Sequence, residues 1–173
     1  MDERILSCCF TGYRPQKFPF PLLRDNADYI EFENRLLSEI VLLIREGCLT
    51  FYSGMAMGFD IIAAECVLEA AAVMKDYPVR LICAIPFPGQ ADKFPGVWKQ
   101  RYDKLLAAAD QTVLISGEYY RGCYFDRNRF MVNNSDFVLT WFDGSAGGTK
   151  NTVTYAKSLG RKVINLYTGC ENG

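Results

Sequence analysis

Residues 48–75 read CLTFYSGMAMGFDIIAAECVLEAAAVMK, and the order of their three parts decides the fold. Cys48 to Tyr52 is a short apolar run suited to a strand. Ser53 to Gly58 is a turn dense in small residues. Gly58 to Lys75 then predicts a helix rich in alanine and apolar nearly all round, the pattern of a helix sandwiched between layers. Glu65 and Glu69 interrupt its apolar run, so it reads as a buried helix and not as a membrane span.

The same alternation extends in both directions. On the N-terminal side, Ile5 to Thr11 predicts a strand broken by Gly12. Tyr29 to Glu46 predicts a helix with Leu36, Leu37, Ile40, Val41 and Ile44 on one face and Gly47 as its stop. On the C-terminal side, Val79 to Ile85 is a third strand closed by Pro86 and Pro88. Gly96 to Ala109 is a third helix, with Val97, Trp98, Arg101, Tyr102, Leu105 and Leu106 on a common stripe. Thr112 to Ile115 is a fourth strand, Asp126 to Asn134 a short helix and Phe137 to Phe142 a fifth strand. Thr149 to Leu159 is the last helix and Lys162 to Leu166 a sixth strand. The strands are rich in Val, Ile, Leu and Cys and do not alternate with polar residues, as a sheet covered on both faces requires. The expectation is one α/β domain over residues 1–173, a Rossmann-like, doubly wound, mainly parallel sheet with helices on both faces. Pro15 to Asp28 is a long first connection of the kind that lies over a site.

Composition narrows the chemistry. The 173 residues carry a net charge of -1 and are 50% hydrophobic. No global basic field recruits nucleic acid, which is therefore disfavoured as a partner. Met1-Asp2-Glu3-Arg4 lacks a signal-peptide pattern and no run spans a bilayer, so a cytoplasmic location with no membrane association is expected. The seven cysteines, Cys8, Cys9, Cys48, Cys66, Cys83, Cys123 and Cys170, show no CxxC spacing and mostly sit in apolar runs. Neither a disulfide framework nor a metal site is expected from them. Histidine is absent. Ser-His-Asp triads, Cys-His dyads and His-ligated metals are excluded, which leaves carboxylates, Arg, Lys, Tyr or Cys for any catalysis.

Ligands of open α/β sheets bind beyond the carboxyl ends of the strands. The residues just after each strand are Thr11-Gly12-Tyr13-Arg14-Pro15, Ser53 to Asp60, Pro86 to Gln90 and Asp143 to Thr149. Two of these turns, Ser53-Gly54-Met55-Ala56-Met57-Gly58 and Gly144-Ser145-Ala146-Gly147-Gly148-Thr149, are rich in glycine and precede helices. Free backbone N–H groups and a positive dipole end make such turns a phosphate cradle, with Arg14 and Arg127 supplying bidentate charge. Each turn alone is equally a tight connection; two on one edge favour a ligand. Neither is a Walker A motif or GxGxxG. Asp60 opens a helix, either as a cap or as a partner for ribose or base. Arg127-Asn128 begin the short helix, as solvated residues or as site residues. Trp98 and Tyr102 read as core. Tyr119, Tyr120 and Tyr124 lie in a loop before Arg127, where one of them stacks on a base or is buried in an interface.

These pieces occur together in a familiar order. Thr11-Gly12-x-Arg14, Ser53-Gly54-x-Ala56-x-Gly58-x-Asp60, Pro86-Phe87 with Gln90, Arg127-Asn128-x-x-Met131 and Gly147-Gly148-Thr149 with Thr152 to Ala156 resemble the YpsA-like family of the SLOG superfamily. That superfamily also holds the DNA-processing protein DprA and the LOG-type phosphoribohydrolases. The resemblance covers nearly the whole chain. It implies a Rossmann-like fold and a nucleotide-type site lined by Gly54, Gly58, Asp60, Arg127, Gly147, Gly148 and Thr149. LOG enzymes place a catalytic glutamate three residues after the Gly-Thr pair; Thr152 stands there in this chain. By analogy with LOG-type proteins a homodimer is expected.

The residues and the resemblance together point to binding or sensing of a nucleotide or nucleotide-derived, phosphate-bearing small molecule, with no further cofactor and no metal. Its expected ligand-binding residues are Thr11, Gly12, Arg14, Ser53, Gly54, Gly58, Asp60, Arg127, Asn128, Gly147, Gly148 and Thr149. The alternative is a hydrolase of an N-glycosidic or phosphate bond, whose carboxylate would be Asp60, Asp126 or Asp143.

Overall fold

The structure is a computed structural model and describes residues 4–168. Six strands form one sheet: β1 (Leu6–Gly12), β2 (Cys48–Ser53), β3 (Arg80–Ile85), β4 (Gln111–Leu114), β5 (Phe137–Trp141) and β6 (Lys162–Asn165). Five helices connect them: α1 (Ala27–Arg45), α2 (Phe59–Val73), α3 (Gly96–Ala108), α4 (Cys123–Asn133) and α5 (Gly148–Ser158). Strand order is β4-β3-β2-β1-β5-β6 and every pairing is parallel. The chain starts in the middle, winds out to β4, and returns to the other side of β1 as β5 and β6. The strand order therefore reverses between β1 and β5, where a crevice opens at the carboxyl edge.

Both faces of the sheet are covered, because alternate strand residues point to opposite sides. Cys8 and Phe10 join a large core with Phe51, Phe59, Leu36, Ile40 and Ile62, which gathers α1 and α2. Cys9, between them, packs with Ala84, Val138, Met131, Val132 and Ala156, against α4 and α5. The helix α2 is buried on most sides and packs on β1, β2, α1 and α3, the sandwich that its apolar sequence predicts. The N-terminus of α1 is capped by Asn26, whose side chain accepts a bond from the Tyr29 N–H at 3.1 Å.

Two expectations are corrected. Tyr124 lies on the first turn of α4, which starts at Cys123 and not at Asp126. Tertiary burial of Cys123 draws an aromatic segment into the helix, and Tyr124 and Arg127, three residues apart, then share one face. Val97 belongs to no buried stripe and is 68% exposed, whereas Tyr102 and Leu105 of the same helix are buried. The first connection contains a 3-10 turn at Pro15–Lys17, with Pro15 in its first helical position. Among the described residues no helix is long and apolar enough to cross a membrane. Six cysteines are buried and unpaired; Cys170 lies outside the described residues.

Candidate functional site

At the carboxyl edge, beside β1, a cavity of about 300 Å³ is lined by Thr11, Gly12, Tyr13, Arg14, Gln16, Lys17, Ala56, Asp60, Tyr124, Arg127, Asn128, Gly148 and Thr149. Segments distant in sequence meet there because the parallel sheet brings its strand ends to one edge. Of the expected residues, Thr11, Gly12, Arg14, Asp60, Arg127, Asn128, Gly148 and Thr149 line the cavity. Ser53, Gly54, Gly58 and Gly147 stand behind it and shape its walls.

The turn after β2 is held from within. The Ser53 hydroxyl donates to the Asp60 carbonyl at 2.9 Å and accepts from the Met55 N–H at 3.2 Å. Met55 adopts φ 59, a conformation that side chains other than glycine seldom take. Gly58 has φ 91, and a Cβ there would lie 2.5 Å from the Tyr13 carbonyl oxygen. This close approach seats the β1 loop on the start of α2, where the Phe59 N–H donates to that carbonyl at 3.1 Å. The Gly54 carbonyl accepts from Gln90 Nε2 at 2.8 Å and from Arg127 Nη1.

Arg127 is buried, and its guanidinium is spent on structure as well as on the cavity. Its Nε donates to Asn128 Oδ1 at 2.8 Å; Asn128 Nδ2 donates to Thr152 Oγ1 at 3.1 Å; Thr152 Oγ1 donates to the Gly148 carbonyl at 3.0 Å. One chain of bonds thus runs from the first glycine turn through α4 to the second. Two of its five N–H groups are thus committed to protein acceptors, and among the described residues Nη2 makes no protein hydrogen bond. Thr152, the residue in the place of the LOG glutamate, is buried and engaged on both sides.

Charge in the cavity is mostly positive. Arg14 and Lys17 are exposed, Arg127 is buried, and none has a carboxylate within 4.0 Å among the described residues. Asp60 is the single lining acid. Burial raises its carboxyl to about 6, against the lowering effect of Arg127, of the Ala56 N–H at 3.4 Å and of Arg14. Burial also lowers the pKa of the Arg127 guanidinium, with Asp60 opposing the shift. The other two candidate carboxylates lie outside the cavity lining. Asp126 is exposed and accepts from the Tyr120 hydroxyl at 2.5 Å. Asp143 is held down to about 2 by hydrogen bonds from Ser145 and Tyr13.

Tyr13, Gln16, Lys17 and Ala56 line the cavity beyond the expected set, and Tyr124 is the one of the three loop tyrosines that reaches it. Lys17 carries a sequence signal only through its place in the proline-dotted first connection. Tyr13 is marked only by its place in the turn after β1; its hydroxyl contacts Asp143 and Ser145, more than a hundred residues away. Tyr102 is core, its hydroxyl donating to Gln90 Oε1 at 3.2 Å. Arg101 stacks over Trp98 at 4.3 Å and pairs with Glu65 at 2.7 Å, remote from the cavity. Among the described residues no group of three or more Cys, Asp or Glu side chains is placed to hold a metal ion.

Comparison with known proteins agrees with this architecture. The YpsA family model, described as the YspA SLOG family, matches residues 8–165. The SPbeta prophage-derived protein YoqJ of Bacillus subtilis (strain 168) is 28% identical over 158 residues, 82% of this chain and 91% of that protein. The UPF0398 protein OB1025 of Oceanobacillus iheyensis is 27% identical over 142 residues, covering 80% and 74%. Two solved structures of DNA processing protein A share the fold. That of Helicobacter pylori, described for its single-stranded DNA binding mode, gives a TM-score of 0.61 at 19% identity, covering 92% of this chain and 64% of that one. That of Streptococcus pneumoniae gives 0.61 at 16% identity, covering 93% and 50%. The chain thus spans half to two thirds of the DprA chains.

Proposed function

The chain belongs to the YspA SLOG family, and from that premise we propose that it binds a nucleotide or a nucleotide-derived, phosphate-bearing small molecule in the β1 cavity. One observation carries the reading: Arg14, Lys17 and Arg127 converge on a cavity that also includes Gly148 and Thr149, the first residues of α5. Exposed cations can keep their charge solvated anywhere on a surface. Three cations and a single carboxylate, Asp60, around one concave site, with free helix N–H groups in its wall, leave a positive surplus that an anion balances. Calorimetry and thermal melting with nucleoside mono- and diphosphates, ADP-ribose and NAD test the proposal. A bound ligand at a hundred times its Kd adds about 2.7 kcal/mol to stability. If no phosphate-bearing compound binds the folded protein, the reading is wrong.

Asp60 favours a second reading, hydrolysis of an N-glycosidic or phosphate bond. A carboxyl raised to about 6 is suited to general acid–base work near neutrality. Release of free base or inorganic phosphate from a bound nucleotide, lost in Asp60→Asn, would establish it; tight binding without turnover supports a sensor. The H. pylori relative described for single-stranded DNA binding adds a further arm, an oligodeoxynucleotide titration at two salt concentrations. Residence in the cytoplasm and a homodimer belong to the same proposal; sedimentation of the ligand-free protein tests the dimer.

A further inference from the structure

The cationic cavity does not end at Tyr124. The same ring lines a recess of about 20 Å³ with Arg14, Met57, Gln90 and Phe94. Phe87 packs edge-on against Tyr124 at 5.9 Å between ring centroids and edge-on against Tyr119 at 5.3 Å. Tyr119 is 61% exposed, so an aromatic ring is braced by protein yet left open to solvent beside the site. Arg14 and Arg127 lie over the Tyr124 ring, 5.8 Å and 5.7 Å from its centroid, so the cations of the cavity and the aromatic group adjoin.

We propose that the exposed Tyr119 ring, braced edge-on by Phe87 beside Tyr124, is a shelf that seats a nucleobase by stacking, so that the ligand is a nucleoside phosphate selected by charge and aromatic face. This rests on the anion-binding reading of the cavity. Two carboxamides near Tyr124 are committed to the protein. Gln90 donates to the Gly54 carbonyl and accepts from Tyr102. Asn128, one helical turn beyond Tyr124, accepts from Arg127 and donates to Thr152. Stacking on the face of a single exposed ring tolerates any base and favours those with the larger face.

Calorimetry with AMP, GMP, CMP and ribose 5-phosphate separates the two layers of the argument. For the wild type, AMP and GMP bind within about threefold of each other, CMP more weakly, and ribose 5-phosphate about tenfold more weakly than AMP. Tyr119→Ala, at an exposed position, narrows the gap between AMP and ribose 5-phosphate and leaves ribose 5-phosphate unchanged. Arg14→Ala weakens all four ligands alike. Ribose 5-phosphate binding as tightly as AMP would overturn the shelf while leaving the anion site standing. A preference of tenfold or more between AMP and GMP would overturn selection by aromatic face. If none of the four binds the folded wild type, the anion reading falls and the shelf with it.

Discussion

Arg14 and Arg127 look alike in the sequence and differ in what their removal does. Arg14 is exposed and without a carboxylate partner among the described residues, so Arg14→Ala leaves stability within about 0.5 kcal/mol. If it contacts the ligand phosphate, the same change weakens binding by about 2 kcal/mol, roughly thirtyfold, in calorimetry. Arg127→Ala removes a donor to the buried Gly54 carbonyl and the nearest cation offsetting Asp60. It is expected to lower stability by about 1–3 kcal/mol in urea unfolding, besides any loss of binding. The two glycines at the start of α5 divide in the same way. Gly147 has φ 151, and a Cβ there would lie 3.2 Å from Lys17 Nζ. Gly148 lies outside the left-handed region and has open space around its Cβ position. Gly148→Val therefore keeps the fold in thermal melting and abolishes ligand binding by filling the cavity; a large fall in Tm with binding retained would reverse this assignment.

Asp60 supplies a pH signature at the same scale. Its folded pKa of about 6 stands above the unfolded value of about 3.9, so the native state holds the proton more tightly. Stability from this group is fully present below the unfolded value and falls as pH rises toward 6. The shift corresponds to at most about 3 kcal/mol. Urea unfolding between pH 4 and 7 should show this fall, and Asp60→Asn should flatten it. An unchanged slope in the variant would mean that Asp60 is not the responsible group.

At the scale of elements, the bonds joining Gly54, Arg127, Asn128, Thr152 and Gly148 tie α4 and α5 to both glycine turns. Asn128→Leu breaks the middle of that chain and leaves the Arg127 Nε N–H without its acceptor. It is expected to cost about 1–2 kcal/mol in unfolding and to weaken ligand binding through loosened walls. Hydrogen exchange should then rise at the start of α5 more than in α1; equal protection in both would mean that the chain of bonds does not couple the turns. This coupling also sets the reach of the sequence reading. Gly12, Gly54, Gly58 and Gly148 are legible because glycine directly after a strand marks a turn where the backbone approaches other backbone or a ligand closely. Asn128 is legible only through resemblance, since its partners are Arg127 beside it and Thr152, 24 residues away.

Across the whole molecule, the six strands and five helices are readable from period and punctuation, because a sheet covered on both faces demands uninterrupted apolar strands. The start of α4 is not, since Cys123, Tyr124 and Phe125 have no helical period of their own and are drawn in by packing on the sheet. That earlier start places Tyr124 on the Arg127 face and so joins the aromatic group to the cavity. The amino-acid order by itself determined the parallel α/β architecture, the edge on which the cavity lies and most of the residues that line it. Those properties depend on local periodicity and on glycine, which act over a few residues. Only the tertiary structure decided that Arg127 serves Gly54 as well as the cavity, that Lys17 and Tyr13 enter the site, and that Asp60 alone among the candidate acids lines it. These depend on burial and on side chains meeting across more than seventy residues, and separations of that length leave no period in the chain.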